Sequence, residues 1–150
     1  ARVAIKASTI TTKRIPKIII PNDSKKNTLY TKVAIKAPNK AKKEIIKHLM
    51  PFKPVKPYEG AIELHVVWLF PKGKRHKHNE WRITKPDTDN LEKLLKDCMT
   101  QVGFWKDDAQ VVKEVVEKRW SDEPTGISIF IDTLPKIMEV TNEGTSKDNQ

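Results

Sequence analysis

Asp87, Asp89 and Asp108, with Lys93 between them, are the residues of this chain whose types and spacing could do chemistry. A hard cation such as Mg²⁺ takes oxygen ligands: one or two carboxylates from the protein, with waters and substrate phosphate oxygens completing the shell. Such an ion can lower the pKa of a bound water and polarise a phosphate. Lys93 falls one helical turn beyond Asp89 on the same face. An ammonium there could stabilise charge developing on a phosphate or protonate a leaving oxygen. Plainer readings exist. Aspartate is common at helix starts, and an Asp89–Lys93 pair at i,i+4 would add only about 0.2–0.5 kcal/mol to a helix. Asp107 stands next to Asp108, and adjacent strand residues face opposite ways, so one of the two is the primary candidate and the other secondary. Asp97, a further turn along, could reach Lys93 and hold it. An EF-hand calcium loop is excluded: counting from Asp87, Glu92 stands where glycine is needed and Cys98 where glutamate is.

The element that positions these residues is a helix. Leu91, Leu94, Leu95, Cys98, Met99 and Val102 form one apolar stripe at 100° per residue, with Asp89, Lys93, Lys96 and Asp97 opposite. Pro86 keeps the preceding residues extended, and Asp87 or Asp89 can cap the helix; Asp89 as cap would place Glu92 at N3, a variant of the capping box. Gly103 supplies the C-terminal cap. The acids before and after the helix can meet only if the chain folds back after Gly103, and the β-branched run from Gln110 to Trp120 suits such a return.

These residues carry a resemblance. Asp87-Thr-Asp89-Asn90-Leu91-Glu-Lys93, followed by Gly103-Phe104-Trp105-Lys106-Asp107-Asp108-Ala109-Gln110-Val111-Val112, is similar to the pattern of the RusA family of Holliday-junction resolvases, endonucleases of bacteria and phages. The match is dense over Lys85 to Trp120 and coarser from about Lys17 to Ile131. The resemblance implies a homodimeric, Mg²⁺-dependent nuclease, with Mn²⁺ able to substitute, acting on four-way DNA junctions in recombination and repair. It implies Asp87, Asp89 and Asp108 as metal ligands and Lys93 as a catalytic cation. It also implies the cytoplasm of a bacterial cell, with a phage or prophage origin open.

Charge agrees with a polyanionic partner. Residues 1–86 hold 21 Lys and Arg against 5 Asp and Glu, net +16, while residues 87–150 hold 8 against 14, net −6. A basic surface to grip phosphates and a few carboxylates to hold a metal would use both halves. The single cysteine, Cys98, excludes an internal disulfide framework. No apolar run approaches the roughly 18 residues of a membrane span, and the start lacks the pattern of a signal peptide, so no membrane partner and an intracellular protein are expected. Lys72, Lys74, Arg75, Lys77, Arg82 and Lys85, with Trp81 among them, directly precede the carboxylates and are read as DNA-backbone contacts. A solvated charge run is the plainer account. His76 and His78 lack partners at a zinc-site spacing. Phe104 and Trp105 read as core, with a wedge at an opened base step as the alternative.

Elsewhere, Lys17–Ile20 reads as a strand, then a basic loop with Lys25, Lys26 and Lys32. Asn39 to Met50 reads as a helix capped by Asn39, Ala61 to Phe70 as a strand, and Ile127 to Ile131 as the last strand after a turn at Asp122–Gly126. The order β-α-β-α-β-β predicts an α+β domain, a mixed sheet carrying two main helices, over residues 1–134, with 135–150 a partly disordered tail. Two rivals to junction cleavage stay open: a nuclease preferring other branched DNA such as flaps, and a non-catalytic basic DNA-binding module whose acidic helix is structural.

Overall fold

Strand β3, Ile62–Pro71, is the axis of the fold. It alternates buried and half-buried residues along its whole length, which puts Ile62, Leu64, Val66, Trp68 and Phe70 on one face. In the computed structural model, residues 3–7, 18–21, 38–123, 125–136 and 138–142 are described. Among them β1 is Val3–Ala7, β2 Ile18–Pro21, α1 Pro38–Leu49, α2 Thr88–Val102, β4 Val111–Ser121, β5 Gly126–Thr133 and β6 Met138–Asn142, with short 3-10 turns at Met50–Phe52 and Asp108–Gln110. Four strands form a mixed sheet in the order β2-β5-β3-β4, with β3 and β4 parallel and the other pairs antiparallel. The architecture is the predicted α+β fold with two main helices.

Both helices lie on the apolar face of that sheet. α2 buries Leu91, Leu94, Leu95, Cys98, Met99 and Val102, the whole predicted stripe, and α1 buries Ala41, Ile45 and Leu49. α1 includes Pro38, so Asn39 lies inside its first turn instead of capping it, and Met50 leaves the helix to start the 3-10 turn, half exposed. Proline at the second residue of that turn explains the stop. Gly103 closes α2 in the left-handed region at φ 105°, donating its N–H to the Met99 and Thr100 carbonyls.

β4 runs back along α2 beside β3. Its register pairs Leu64 with Glu114, Val66 with Val116, Trp68 with Lys118 and Phe70 with Trp120, so these β4 residues share the helix-facing side. Its outer edge is covered near the end, where Arg82 N–H donates to the Lys118 carbonyl and Trp120 N–H to the Glu80 carbonyl. β1 pairs with β6 in a separate two-stranded sheet, so Met138–Asn142, inside the stretch read as tail, is a strand. The basic loop with Lys25, Lys26 and Lys32 lies outside the described residues. No helix among the described residues is long and apolar enough to cross a membrane.

Candidate active site

The acid that caps α2 by position makes no capping bond. Asp87 is the N-cap, extended at φ −74° and ψ 149°, and its carboxylate makes no capping hydrogen bond. Asp89 follows in the first turn, where the positive end of the helix dipole favours negative charge. Asp87 as cap overturns the capping box built on Asp89. Glu92 instead turns inward: it is 2% exposed, and its Oε1 accepts from Trp68 Nε1 at 3.2 Å. Burial, opposed by that hydrogen bond and reinforced by Glu114, pushes its pKa up to about 7.

Lys93 is exposed and, among the described residues, makes no ion pair. The helix-stabilising pair with Asp89 is therefore not formed. Asp97 does not hold Lys93 either; it pairs with Lys42 of α1 at 3.8 Å. Between the two helices lies an open cleft of about 520 Å³, whose walls include Lys42, Lys85, Asp87, Asn90, Lys93 and Asp97. Lys85 leans on Asp87 at 3.4 Å, both largely in solvent.

The loop entering α2 is pinned by Lys118, which sequence reading missed. Its Nζ donates to the Thr84 carbonyl at 2.8 Å and the Pro86 carbonyl at 2.7 Å. Desolvation by burial, then the neighbouring Arg82, lower its pKa, while Asp87 acts to raise it. The strand parity that turns Lys118 inward is set by pairing with Trp68, a contact 50 residues away in the chain.

The other acids sit at the far end of the helix. Asp107 caps the Asp108–Gln110 turn: its Oδ1 accepts from Ala109 N–H at 2.9 Å, while Gln110 Oε1 accepts from the Lys106 and Asp107 amides. Gln110 Nε2 also donates to the Tyr58 and Gly60 carbonyls, both at 3.0 Å, tying the turn to the approach to β3. Asp108 is half-buried with its carboxylate outside this network. The 15 residues of α2, at 1.5 Å each, put about 22 Å between the two acidic ends. The chain does fold back after Gly103, but the acids lie before the returning strand and do not travel with it. Accordingly, no group of three metal-ligating side chains forms among the described residues. Asp87 and Asp89 suit an ion needing only one or two carboxylates with waters; Asp108 does not join them within one chain.

The basic loop divides. Lys74, Arg75 and Lys77 are exposed. Lys72 pairs with Asp122 at 3.3 Å. Arg82 is not on the surface at all: it is 9% exposed, its guanidinium lies 4.2 Å from the Phe70 ring centre and 4.5 Å from that of Trp120, and it donates to the Lys85 carbonyl. Its role is to hold the loop. His76 stacks on Trp120 at 4.1 Å, and His78 Nδ1 accepts from Asp122 N–H at 3.0 Å, so both histidines are structural. Phe104 and Trp105 are buried, which removes them as DNA wedges; Trp105 Nε1 donates to Thr100 Oγ1 at 2.7 Å.

The start of α2 thus brings together Asp87, paired only with exposed Lys85, Asp89 in the first turn, and Lys93 one turn on. Residues 16–132 match the family described as Endodeoxyribonuclease RusA, and the chain belongs to that family. It is 33% identical over 85 residues to the crossover junction endodeoxyribonuclease rusA of Lactococcus phage r1t, a match covering 55% of this chain and 64% of that relative. The chain thus spans just under two thirds of that relative's length.

Proposed function

We propose that this endodeoxyribonuclease-family protein resolves four-way DNA junctions by metal-dependent phosphodiester hydrolysis, acting as a homodimer. The observation that carries the reading is the start of α2. There Asp87 makes no capping bond and lines the cleft together with Lys93, which has no carboxylate partner among the described residues, and Asp89 lies in the same first turn. Asp87 and Asp89 would hold Mg²⁺, which supplies an activated water and a polarised phosphate when bound. Lys93 places its ammonium against the phosphate and stabilises charge as the bond breaks. Lys118 and Arg82 keep Lys85–Asp87 in place, and Lys74, Arg75 and Lys77 hold flanking phosphates.

Asp108 enters this scheme across a dimer. The distance along α2 keeps it from Asp87 in the same chain, so a site using all three acids draws Asp108 from a second copy. β4 supports this arrangement. It is an edge strand, Val112 sits at a register shift and is 63% exposed, and Val115 is also exposed, close to Asp108 in the chain. Two equivalent sites then meet the two equivalent strands of a junction.

Incubating a synthetic immobile four-way junction with the protein and either Mg²⁺ or EDTA, and resolving each labelled strand, tests the proposal. Paired nicks in opposite strands with Mg²⁺ alone are expected. Binding without nicking in both conditions would establish the non-catalytic module instead. Equal cutting of flap substrates would establish a broader branched-DNA nuclease.

A further inference from the structure

Trp81 and Ile83 are apolar side chains held out in water on a segment that is otherwise clamped. Ile83 is 92% exposed and Trp81 56%, while Arg82 between them is buried. Two exposed apolar residues on a loose loop would mean little. Here the Arg82 N–H donates to the Lys118 carbonyl at 3.0 Å, Trp81 bridges Arg119 in an antiparallel pair, and Lys118 Nζ grips the Thr84 and Pro86 carbonyls just beyond. Ile83 is therefore presented between two anchor points, four residues before Asp87. The Trp81 ring is propped on one side by the Arg119 guanidinium, 4.0 Å from its centre, and Arg119 is itself held by Glu117 at 3.2 Å. Beyond the Arg119 contact, this surface faces solvent.

We propose that Trp81 and Ile83 form a wedge that contacts unstacked bases at the open centre of branched DNA. The proposal rests on the nuclease reading above and names the feature of its substrate that the protein recognises. Residues at i and i+2 of an extended segment lie about 6.6–6.8 Å apart on one side. Two stacked base steps of 3.4 Å occupy the same length, so one base can be accepted between the two side chains. Aromatic rings stack on any base through its π-face, independently of sequence, and apolar wedges enter steps that are already partly opened at lower cost. In a continuous duplex the bases are stacked and out of reach, so the wedge discriminates branched from linear DNA.

The test uses the full chain in EDTA, so that no strand is cut, and compares affinity for a four-way junction with that for a duplex of the same arm sequence. Trp81→Ala is expected to weaken junction binding roughly tenfold, the order of one lost base–aromatic stack, and to leave duplex binding unchanged. Trp81→Phe should restore most of the loss. Ile83→Ala, which touches too little to disturb folding, should lower the junction-to-duplex ratio severalfold. 2-Aminopurine placed at the crossover should change emission on binding wild type but not Trp81→Ala. If wild type prefers junctions and both alanine variants keep that preference, the wedge is wrong and the nuclease reading stands. If wild type binds junction and duplex alike, the wedge falls, and the nicking assay alone decides the nuclease reading. A change of oligomeric state in the variants would assign the pair to a contact between copies and overturn the wedge.

Discussion

The two ends of α2 carry similar acids in opposite circumstances. At the start, Asp87 occupies a capping position without capping, and Asp89 and Lys93 share a face without pairing. At the end, Asp107 is fully engaged in a capping box with Gln110, and Gln110 is in turn fastened to Tyr58 and Gly60. Backbone amides at a helix start gain stability from a side-chain cap, so an Asp87 that leans only on exposed Lys85 forgoes stability that the far end collects. The contrast separates an acid built into a turn from acids that are not. It also separates two neighbours, since Asp107 belongs to the capping network and the Asp108 carboxylate does not.

The contrast can be broken most decisively at its free end. Asp89→Asn should lower junction cleavage by at least about a hundredfold, the scale of losing one electrostatic catalytic contact, with junction affinity in EDTA retained. Near wild-type cutting in Mg²⁺ would remove Asp89 from the site. Next comes complementation between the two ends. Asp108→Asn should be similarly inactive alone, yet mixing it with Asp89→Asn should regain activity, because one composite site of a mixed dimer keeps all its acids. Strictly no recovery after subunit exchange would rule out a site shared between copies.

Glu92, the acid turned into the protein between these ends, sharpens the comparison through stability. Its folded pKa of about 7 lies above the ordinary value of 4.5, so the folded state binds the extra proton between these values. That contribution is fully present below about pH 4.5 and is lost as pH rises through 7. Glu92→Gln should flatten the loss and make the protein more stable than wild type at pH 8, by up to roughly 3 kcal/mol. Denaturant melts at pH 5 and pH 8 would check it; equal destabilisation by Gln at both would show that the carboxyl is not titrating. The smallest effect belongs to Asp107→Ala, which loses a cap worth about 1 kcal/mol while cleavage per folded molecule stays near wild type. A collapse of cleavage without a melting shift would make Asp107 a site residue.

What was legible in the sequence was periodic or local. The α2 stripe, the alternation of β3 and the Gly103 stop follow from 3.6- and 2-residue repeats and from one permissive residue, and all are found. The roles that escaped depend on partners distant in the chain. Arg82 looks like any other cation of its loop until Phe70 and Trp120 close over it. Glu92 reads as a capping residue until Trp68 offers a donor from another strand. Lys118 becomes an anchor only because its register with Trp68 faces it toward the helix start. The separation of Asp108 from Asp87 escaped for a different reason. Sequence shows that the chain returns, but not on which side of the turn the acids are left.

The anchoring by Lys118 has a consequence for how the protein comes into being. Synthesis delivers Asp87, Asp89 and Lys93 well before residue 118, and helix formation needs only local contacts. The carbonyls of Thr84 and Pro86 stay unheld until β4 has been made and has docked in parallel beside β3, a slow, long-range pairing. A nascent chain emerging N-terminus first therefore carries its acids before it carries an ordered site. The start of α2 reaches its final geometry only once residue 118 is in place.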